Sequence, residues 1–376
     1  MTIPMKKFGR QGPDLSILGF GAMRLPGFRE GRYDEFMEKA VSLLRKGIEL
    51  GINYIDTAQL YDAGYSEIAV GKAITGFRDQ VFVSTKIPPR LLAGPDDLMR
   101  LIDESYSRLG TDRIDLFYFH GLAWEQFERQ LMGMKLLETA ERLQAEGRIS
   151  LLGFSSHDTP ENIGKLIDTG AFAGMLVQYN LIDEKNKEVI SHAHQSGMGI
   201  AIMGPVGGGR LAGAGPDFTR LIPKEVESAP AWALRFVWSN DGVTTALSGM
   251  ESEAVLEVNV ALAQNFAPLT KAHYEQVAEL NEKLDGLREI YCSGCGYCIP
   301  CEQEVNIPSI FNLLICHEVF GAENYAKRLY GLLGQIPILP GKDASSCIEC
   351  GECEEKCPQK ISIMEQLKRT HELLSA

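Results

Sequence analysis

The chain has 376 residues, with 37 basic and 50 acidic side chains that give a formal net charge of −13. This acidic balance argues against a nucleic-acid partner, because phosphate binding depends on Lys and Arg side chains. We expect neither a membrane span nor a signal peptide, because no segment approaches ~20 apolar residues and no long apolar run follows the N-terminal lysines.

Short apolar segments alternate with amphipathic segments between residues 17 and 264. The apolar segments predict eight strands, at Ile17–Met23, Asn53–Gln59, Val81–Ile87, Ile114–His120, Ile149–Ser156, Gly174–Asn180, Gly199–Val206 and Thr244–Met250. The amphipathic segments predict helices at Asp34–Leu50, Glu67–Ile74, Asp96–Leu109, Lys135–Glu146, Pro160–Thr169, Glu184–Ser196, Ala229–Ser239 and Glu253–Gln264. Eight successive βα units indicate an α/β protein whose parallel sheet closes into a (β/α)8 TIM barrel.

An open, doubly wound sheet is the alternative architecture. It requires a glycine-rich dinucleotide turn directly after the first strand, and the segment from Gly19 to Arg24 lacks the third glycine of that turn. The barrel is therefore favoured. In such barrels the loops after strands seven and eight often bind phosphate, and a polar, glycine-rich insertion, Gly207–Pro223, follows strand seven. Helical sequence at Lys271–Leu287 completes a barrel domain that we assign to residues 1–285.

Four polar residues lie at or just after the ends of three neighbouring predicted strands: Asp56, Tyr61, Lys86 and His120. The carboxyl ends of barrel strands carry the active site, so these side chains should meet. A free tyrosine has a pKa of about 10, and an adjacent ammonium lowers that pKa. Singly, the Asp–Lys pair could be a structural ion pair, the tyrosine a loop aromatic and the histidine a structural residue. Together they suit the reduction of a carbonyl group, which needs a proton donor.

This arrangement resembles the catalytic tetrad of the aldo-keto reductase superfamily. The resemblance runs from about Phe8 to Ala267 and includes Phe8–Gly12, Gly153–Ser156 and Val177–Asn180. It implies a nicotinamide-dependent oxidoreductase that acts on a small carbonyl or alcohol. In this family pattern Tyr61 is the general acid and base, Lys86 and Asp56 adjust its pKa, and His120 orients the substrate.

The resemblance also implies a site for NADPH or NADH. Ser155 and Gln178 match the residues that hydrogen-bond the nicotinamide carboxamide, while Ser156 replaces the usual asparagine. Met203 stands where the family often has an aromatic residue, and its thioether can pack on a ring. The implied cofactor-binding set is Gly21, Met23, Asp56, Ser155, Gln178, Met203, Pro205, Val206, Gly207, Gly209, Gly249, Ser252 and Asn259.

The adenosine end of the nucleotide leaves the choice of cofactor open. NADPH-selective members carry a basic residue after the eighth strand, and this chain has Glu251 and Val255 there. A carboxylate repels a 2′-phosphate and can accept a hydrogen bond from a ribose hydroxyl, which favours NADH. Arg210 or Lys224 could still supply the positive charge for NADPH.

All nine cysteines lie in the last quarter of the chain, starting at Cys292. One run has the C-x2-C-x2-C-x3-C-P spacing of bacterial ferredoxins, and a second run of four precedes it. We therefore predict a mainly α-helical ferredoxin-like domain at residues 286–376 with two [4Fe–4S] clusters. The predicted ligands are Cys292, Cys295, Cys298, Cys301, Cys347, Cys350, Cys353 and Cys357.

By analogy with two-cluster ferredoxins, the fourth cysteine of each run should ligate the cluster of the other run. Cys357 would then join the first three cysteines of the upstream run, and Cys301 would join the first three of the downstream run. Zinc is the rival metal, but zinc ribbons use paired cysteines. The segment Phe311–Leu332 between the runs is predicted to be helical, and Cys316 is interpreted as a buried spare thiol.

Two functions follow from this combination. The first is an NAD(P)H-dependent carbonyl reductase or alcohol dehydrogenase whose clusters stabilise the fold. The second is an electron-transfer subunit whose clusters exchange electrons with a redox partner protein. Iron–sulfur clusters favour a reducing compartment, so we expect a cytoplasmic location.

Overall fold

The structure is a computed structural model. It describes residues 2–28, 31–208, 211, 222–223, 225–284, 292, 296–318, 323–336 and 339–375. No helix within these residues is both long enough and apolar enough to cross a membrane.

Contacts within the chain divide it into two compact units. The first unit comprises Met1–Tyr179, Asp183–Pro205 and Leu234–Pro268, and the second comprises Asn180–Ile182, Val206–Ala233 and Leu269–Ala376. The domain boundary between residues 285 and 286 stays a prediction.

The first unit is built on a closed parallel barrel preceded by a short antiparallel hairpin. The hairpin strands are β1 (Met5–Lys7) and β2 (Asp14–Ser16). The barrel strands are β3 (Leu18–Gly21), β4 (Tyr54–Asp56), β5 (Phe82–Ile87), β6 (Ile114–Phe119), β7 (Ile149–Ser156), β8 (Gly174–Gln178), β9 (Gly199–Met203) and β10 (Thr245–Ser248). They pair in chain order, and β10 closes the ring by pairing with both β9 and β3.

Helices follow the barrel strands, which makes each connection long enough for a parallel neighbour. They are α1 (Tyr33–Glu49), α2 (Tyr65–Ile74), α3 (Pro95–Leu109), α4 (Trp124–Gln126), α5 (Leu136–Ala145), α6 (Pro160–Asp168), α7 (Lys187–Gln195), α8 (Ala229–Trp238) and α9 (Glu253–Gln264). All eight predicted strands and their helices are confirmed, with ends that differ by a few residues. The barrel, and not the open sheet, is the fold.

The N-terminal hairpin places Phe8 inside one end of the barrel. Phe8 is fully buried in a cluster with side chains from β4, β6, β8 and β9. Glycines make room for its ring, because a Cβ on Gly199 would lie 2.3 Å from Phe8 and one on Gly174 would lie 3.0 Å from it. Gly9 has a positive φ of 60° and allows the chain to turn beside Gly197, whose carbonyl accepts a hydrogen bond from the Arg10 N–H. The hairpin therefore belongs to the core that holds the strands.

The described part of the second unit contains several α-helices. Its helices are α10 (Lys271–Leu284), α11 (Ile307–Glu318), α12 (Glu323–Tyr330), α13 (Glu352–Glu355) and α14 (Ile363–Leu374). Helix α11 packs against α12 and α14, and it buries Cys316 as expected. The segment predicted as helical between the two runs contains most of α11 and all of α12, and residues 319–322 lie outside the described residues.

Candidate functional site

The four tetrad residues are brought together at the carboxyl end of the barrel. Asp56 is the last residue of β4, Lys86 lies near the end of β5, and His120 follows β6. Because these three strands are hydrogen-bonded neighbours, their ends are adjacent. Tyr61 begins the short 3-10 turn that leads into α2.

Lys86 is the centre of the site. Its ammonium is fully buried and donates to Asp56 Oδ2 at 2.6 Å, to the Thr57 carbonyl at 2.7 Å and to the Tyr61 hydroxyl at 3.2 Å. A buried charge is tolerated only when it is paired and hydrogen-bonded, and these contacts meet that condition. The ammonium therefore has one defined place, beside the phenol.

Tyr61 is held between Lys86 and His120. The Lys86 ammonium also lies 4.6 Å from the centre of the Tyr61 ring. The His120 ring meets the Tyr61 ring edge-on, with centroids 5.7 Å apart and planes at 86°. The two residues after Tyr61 have left-handed backbone conformations, Asp62 with φ of 51° and Ala63 with φ of 53°. Such non-glycine conformations cost free energy and concentrate at functional sites.

The electrostatics of the site correct one prediction. Burial, together with the charges of Asp56 and Asp62, raises the pKa of Tyr61 well above its ordinary value. The predicted lowering of this pKa by Lys86 is therefore not the net direction, because burial is the largest influence on the phenol. Tyr61 is thus a protonated phenol at neutral pH. Burial and the nearby charge of Lys86 lower the pKa of His120 well below its ordinary value, so its imidazole is neutral.

Three buried hydroxyls adjoin the tetrad, and the sequence analysis did not single them out. Ser84 donates to the second carboxylate oxygen of Asp56, with 2.6 Å between Ser84 Oγ and Asp56 Oδ1. The Tyr54 hydroxyl lies 3.0 Å from Ser84 Oγ, and the Tyr118 hydroxyl lies 3.4 Å from that of Tyr54. Each stands two residues before a tetrad residue, on the same strand for Ser84 and Tyr54 and just before the end of β6 for Tyr118, and this spacing favours a shared face of the sheet. That alternation was the signal in the sequence.

The residues predicted to bind the nicotinamide lie on the same edge of the barrel. Gln178 and Met203 are paired neighbours at the ends of β8 and β9. Gln178 is buried and donates to Asp183 Oδ2 at 2.8 Å. The Ser155 hydroxyl accepts from the Gly121 N–H at 2.9 Å, which leaves its own proton to be donated. A polar amide, a hydroxyl and a thioether along one edge fit a carboxamide on an aromatic ring.

The serine that replaces the family asparagine has a separate role. Ser156 Oγ donates to the Leu122 carbonyl at 2.7 Å and accepts from the Asp158 N–H at 3.1 Å. The Trp124 N–H in turn donates to Asp158 at 2.9 Å. Ser156 therefore anchors the loop after β6, and its hydroxyl is engaged there.

Other predicted nucleotide contacts are divided between the two units. Gly21 ends β3, Met23 follows it, and Gly249 and Ser252 follow β10, all in the first unit. In the same unit, Ser252 caps α9 by accepting from the Val255 N–H, and the Asn259 amide donates to Ser248 at 3.1 Å. Pro205 ends a segment of the first unit, whereas Val206 and Gly207 belong to the second. The predicted residues Gly209, Arg210 and Lys224 lie outside the described residues.

Seven cysteines of the second unit line two cavities. One, the first cysteine cavity, is lined by Cys298, Cys301, Cys347, Cys350 and Cys353. The other, the second cysteine cavity, is lined by Cys292, Cys298 and Cys357. The last cysteine of each run thus lines a cavity with cysteines of the other run, and Cys298 borders both. Cys295 lies outside the described residues.

The lining of the first cysteine cavity can be compared with the needs of an iron–sulfur cluster. Its thiols surround a space whose wall includes apolar residues such as Val305, Ile307 and Leu367. Gly351 has a φ of 82° and allows the tight turn between Cys350 and Cys353. This donor set and its apolar surroundings fit an iron–sulfur cubane.

Comparison with known proteins gives the family. The sequence profile of the "Aldo/keto reductase family" matches residues 17–282. The chain belongs to the aldo/keto reductase family. It is an oxidoreductase with a closed eight-stranded barrel, and a profile described as "4Fe-4S dicluster domain" matches residues 291–362.

Relatives of this aldo/keto reductase come from several organisms. It is 30% identical to a methylglyoxal reductase, YeaE, of Escherichia coli over 67% of this chain and 93% of the relative. It is 31% identical to an uncharacterized oxidoreductase, YqkF, of Bacillus subtilis over 55% of this chain and 66% of the relative. Among solved structures, the holo form of aldo-keto reductase AKR11C1 from Bacillus halodurans is 26% identical, with a TM-score of 0.64 over 74% of this chain and 96% of that one. An aldo-keto reductase from Klebsiella pneumoniae in complex with NADPH shares the fold, with 24% identity, a TM-score of 0.62, and coverage of 75% of this chain and 96% of that one.

Proposed function

We propose that this aldo/keto reductase transfers a hydride between NAD(P)H and a small aldehyde or ketone, with Tyr61 as the proton donor. The observation that supports it best is the 3.2 Å contact between the Tyr61 hydroxyl and the buried ammonium of Lys86. The barrel fold and the family of the chain are consistent with this chemistry. The nicotinamide supplies the hydride when it is bound.

The side chains of this chain divide the remaining work. Tyr61 gives its proton to the carbonyl oxygen as the oxygen gains charge, so that an aldehyde or ketone leaves as an alcohol. His120 is neutral and can donate a hydrogen bond to the same oxygen, which polarises it. After the transfer Tyr61 is a phenolate. The ammonium of Lys86, held in place by Asp56, stabilises its negative charge. In alcohol oxidation the same steps run in reverse.

NADH is proposed to be used at least as well as NADPH. Glu251 and Val255 are exposed at the start of α9, where a basic residue would contact a 2′-phosphate. Both positions lie in the first unit beside Ser252. Steady-state oxidation of the two cofactors compares them directly, and a KM for NADPH well below that for NADH would contradict this choice.

We also propose two [4Fe–4S] clusters, ligated crosswise by the two cysteine runs, in a reducing cytoplasmic setting. The two cysteine cavities support this arrangement. In this proposal the clusters stabilise the second unit. Hydride transfer by a carbonyl reductase moves two electrons together and needs no one-electron carrier.

The test is turnover by anaerobically purified protein. NADH and NADPH oxidation would be followed against a panel of carbonyls that includes methylglyoxal, because one relative is named for it. Tyr61→Phe should lower kcat by about a hundredfold or more, since a positioned general acid contributes 10²–10⁴-fold. Tyr106→Phe is the matched control, because that hydroxyl bonds the Arg148 carbonyl on the barrel exterior. If Tyr61→Phe kept full turnover while clusters still reduced a partner protein, the electron-transfer function would replace this one.

A further inference from the structure

A line of three buried hydroxyls leads to the carboxylate that holds Lys86. It starts at Tyr118 on β6, passes Tyr54 on β4 and Ser84 on β5, and ends at Asp56. Tyr118, Tyr54 and Ser84 are all fully buried. Ser84 and Asp56 are also paired neighbours in the sheet, which fixes the short contact between them.

Counting protons fixes the direction of these hydrogen bonds. A hydroxyl has one proton to donate, and an ionised carboxylate can only accept. Ser84 gives its proton to Asp56 Oδ1, so Tyr54 must be the donor to Ser84. Tyr118 must then be the donor to Tyr54, at a longer distance of 3.4 Å. All three protons therefore point toward the carboxylate, and aligned hydrogen bonds of this kind polarise and strengthen one another.

The carboxylate needs this support because of where it lies. Burial is the largest influence and raises the pKa of Asp56 above its ordinary value, while Lys86 and the hydrogen bond from Ser84 act to lower it. The charged or titratable groups around it are Lys86 on β5, Tyr54 on its own strand, Tyr118 on β6 and Tyr61 in the turn that follows. Of these, Lys86 carries the compensating positive charge. Ser84 occupies the one carboxylate oxygen that Lys86 does not contact.

We infer that Ser84, supported by Tyr54 and Tyr118, is a positioning residue that keeps Asp56 ionised and turned toward Lys86, and so keeps the ammonium beside Tyr61. The inference rests on the proposed function in one respect, that proton transfer by Tyr61 is what the placed ammonium serves. Ser84 touches neither substrate nor nicotinamide in this role. It acts on the reaction through Asp56 and Lys86.

The experiment compares Ser84→Ala with a matched control on the same strand. Thr85 is the next residue and faces the other side of the sheet, where its buried hydroxyl donates to the Glu67 carboxylate at 2.6 Å. Thr85→Val thus also removes a buried hydroxyl that donates to an ion-paired carboxylate, that of Glu67, which lies outside the tetrad. Tyr54→Phe removes the next hydroxyl upstream and keeps the ring volume. Thermal unfolding of each variant shows which of them fold.

Two measurements are made on each variant of the full chain. In turnover, Ser84→Ala should lower kcat by about tenfold to a hundredfold, the loss of one hydrogen bond to a charged group, with the KM for the cofactor unchanged. Tyr54→Phe should lower kcat by a few fold, and Thr85→Val should not lower it. In carbon-13 NMR of aspartate-labelled protein, the Asp56 signal, assigned by its loss in Asp56→Asn, should titrate at higher pH in Ser84→Ala than in the parent.

The NMR titration separates the inference from the proposed function. A shift of the Asp56 titration in Ser84→Ala and Tyr54→Phe, but not in Thr85→Val, supports the positioning role. If such a shift is seen but no carbonyl of the panel is turned over, the proposed function alone fails. An unchanged Asp56 titration in Ser84→Ala overturns the inference. Equal losses of kcat in Ser84→Ala and Thr85→Val overturn it as well, because the effect would then be a general one on strand β5.

Discussion

Lys86 acts on the neighbouring phenol through its position and through a charge that is paired with Asp56. Its ammonium contacts Asp56, the Thr57 carbonyl and Tyr61 at the same time. Burial then dominates and raises the pKa of Tyr61. A phenol that keeps its proton is the form that carbonyl reduction requires.

This direction of shift can be measured directly in the nucleotide-free protein. The ultraviolet difference spectrum between the parent and Tyr61→Phe reports the ionisation of this one phenol. A raised pKa means that the proton persists to higher pH, so we expect no phenolate signal from Tyr61 up to the ordinary pKa of 10.0. A phenolate signal that grew between neutral pH and that value would show that Lys86 outweighs burial.

At the residue scale, the sequence predicted which side chains meet but not their electrostatics. Asp56, Lys86 and His120 could be located because strand ends in a barrel share one edge. The direction in which the pKa of Tyr61 shifts could not be predicted, because it depends on burial and on the contacts of Lys86. The left-handed backbone at Asp62 and Ala63 could not be predicted either, since aspartate adopts that conformation only in a minority of cases and alanine rarely.

At the scale of elements, the N-terminal hairpin stabilises the barrel through one aromatic side chain. Phe8 fills the space that Gly174 and Gly199 leave open, and its ring centroid lies 6.5 Å from that of Tyr54 and 6.0 Å from that of Phe82. The hairpin is thus packed against several strands that are distant in sequence. Its removal should weaken the barrel as a whole.

We expect Phe8→Ala to lower the free energy of unfolding by about 3–5 kcal/mol, the usual cost of a cavity at a buried phenylalanine. Denaturant unfolding followed by circular dichroism measures this loss. Phe36→Ala is the control, because that ring is partly exposed on α1. A loss for Phe8→Ala no larger than the control's would show that the ring is not part of the core.

The helices and strands were predictable because each kind of element repeats its apolar positions with its own period. The eight strands of the barrel were found for this reason. The start of α11 at Ile307, four residues before the predicted Phe311, was missed, although Pro308 lies in a first helical turn, where proline is tolerated. The π-helical turn at Phe127–Met132 was also missed, because its i→i+5 bonding has no simple sequence pattern.

At the scale of the whole molecule, the cysteine cavities make the crosswise ligation testable. Cys301 lines the first cysteine cavity together with three cysteines of the later run. The double variant Cys301→Ser with Cys350→Ser should therefore lose about half of the iron, one cluster of two. The double variant Cys301→Ser with Cys292→Ser should lose nearly all of it, because it affects both cavities.

Iron analysis and the absorption of anaerobically purified protein give these values. Cys316→Ser is the control and should keep all of its iron, because Cys316 is buried in α11 and lines neither cavity. The opposite ranking of the two double variants would indicate that each run holds its own cluster. Full iron loss in both would indicate that neither cluster survives without the other.

The positions of the cavity cysteines along the chain also bear on when clusters can assemble during translation. Cys301 and Cys347 lie 46 positions apart along the chain yet share one cavity wall, and Cys357 completes the wall begun by Cys292. A nascent chain that contains only the upstream run therefore lacks cysteines that both cavities need. If the two proposed clusters are ligated crosswise, neither can be completed before translation has passed Cys357, and a premature stop codon between the runs would remove ligands of both.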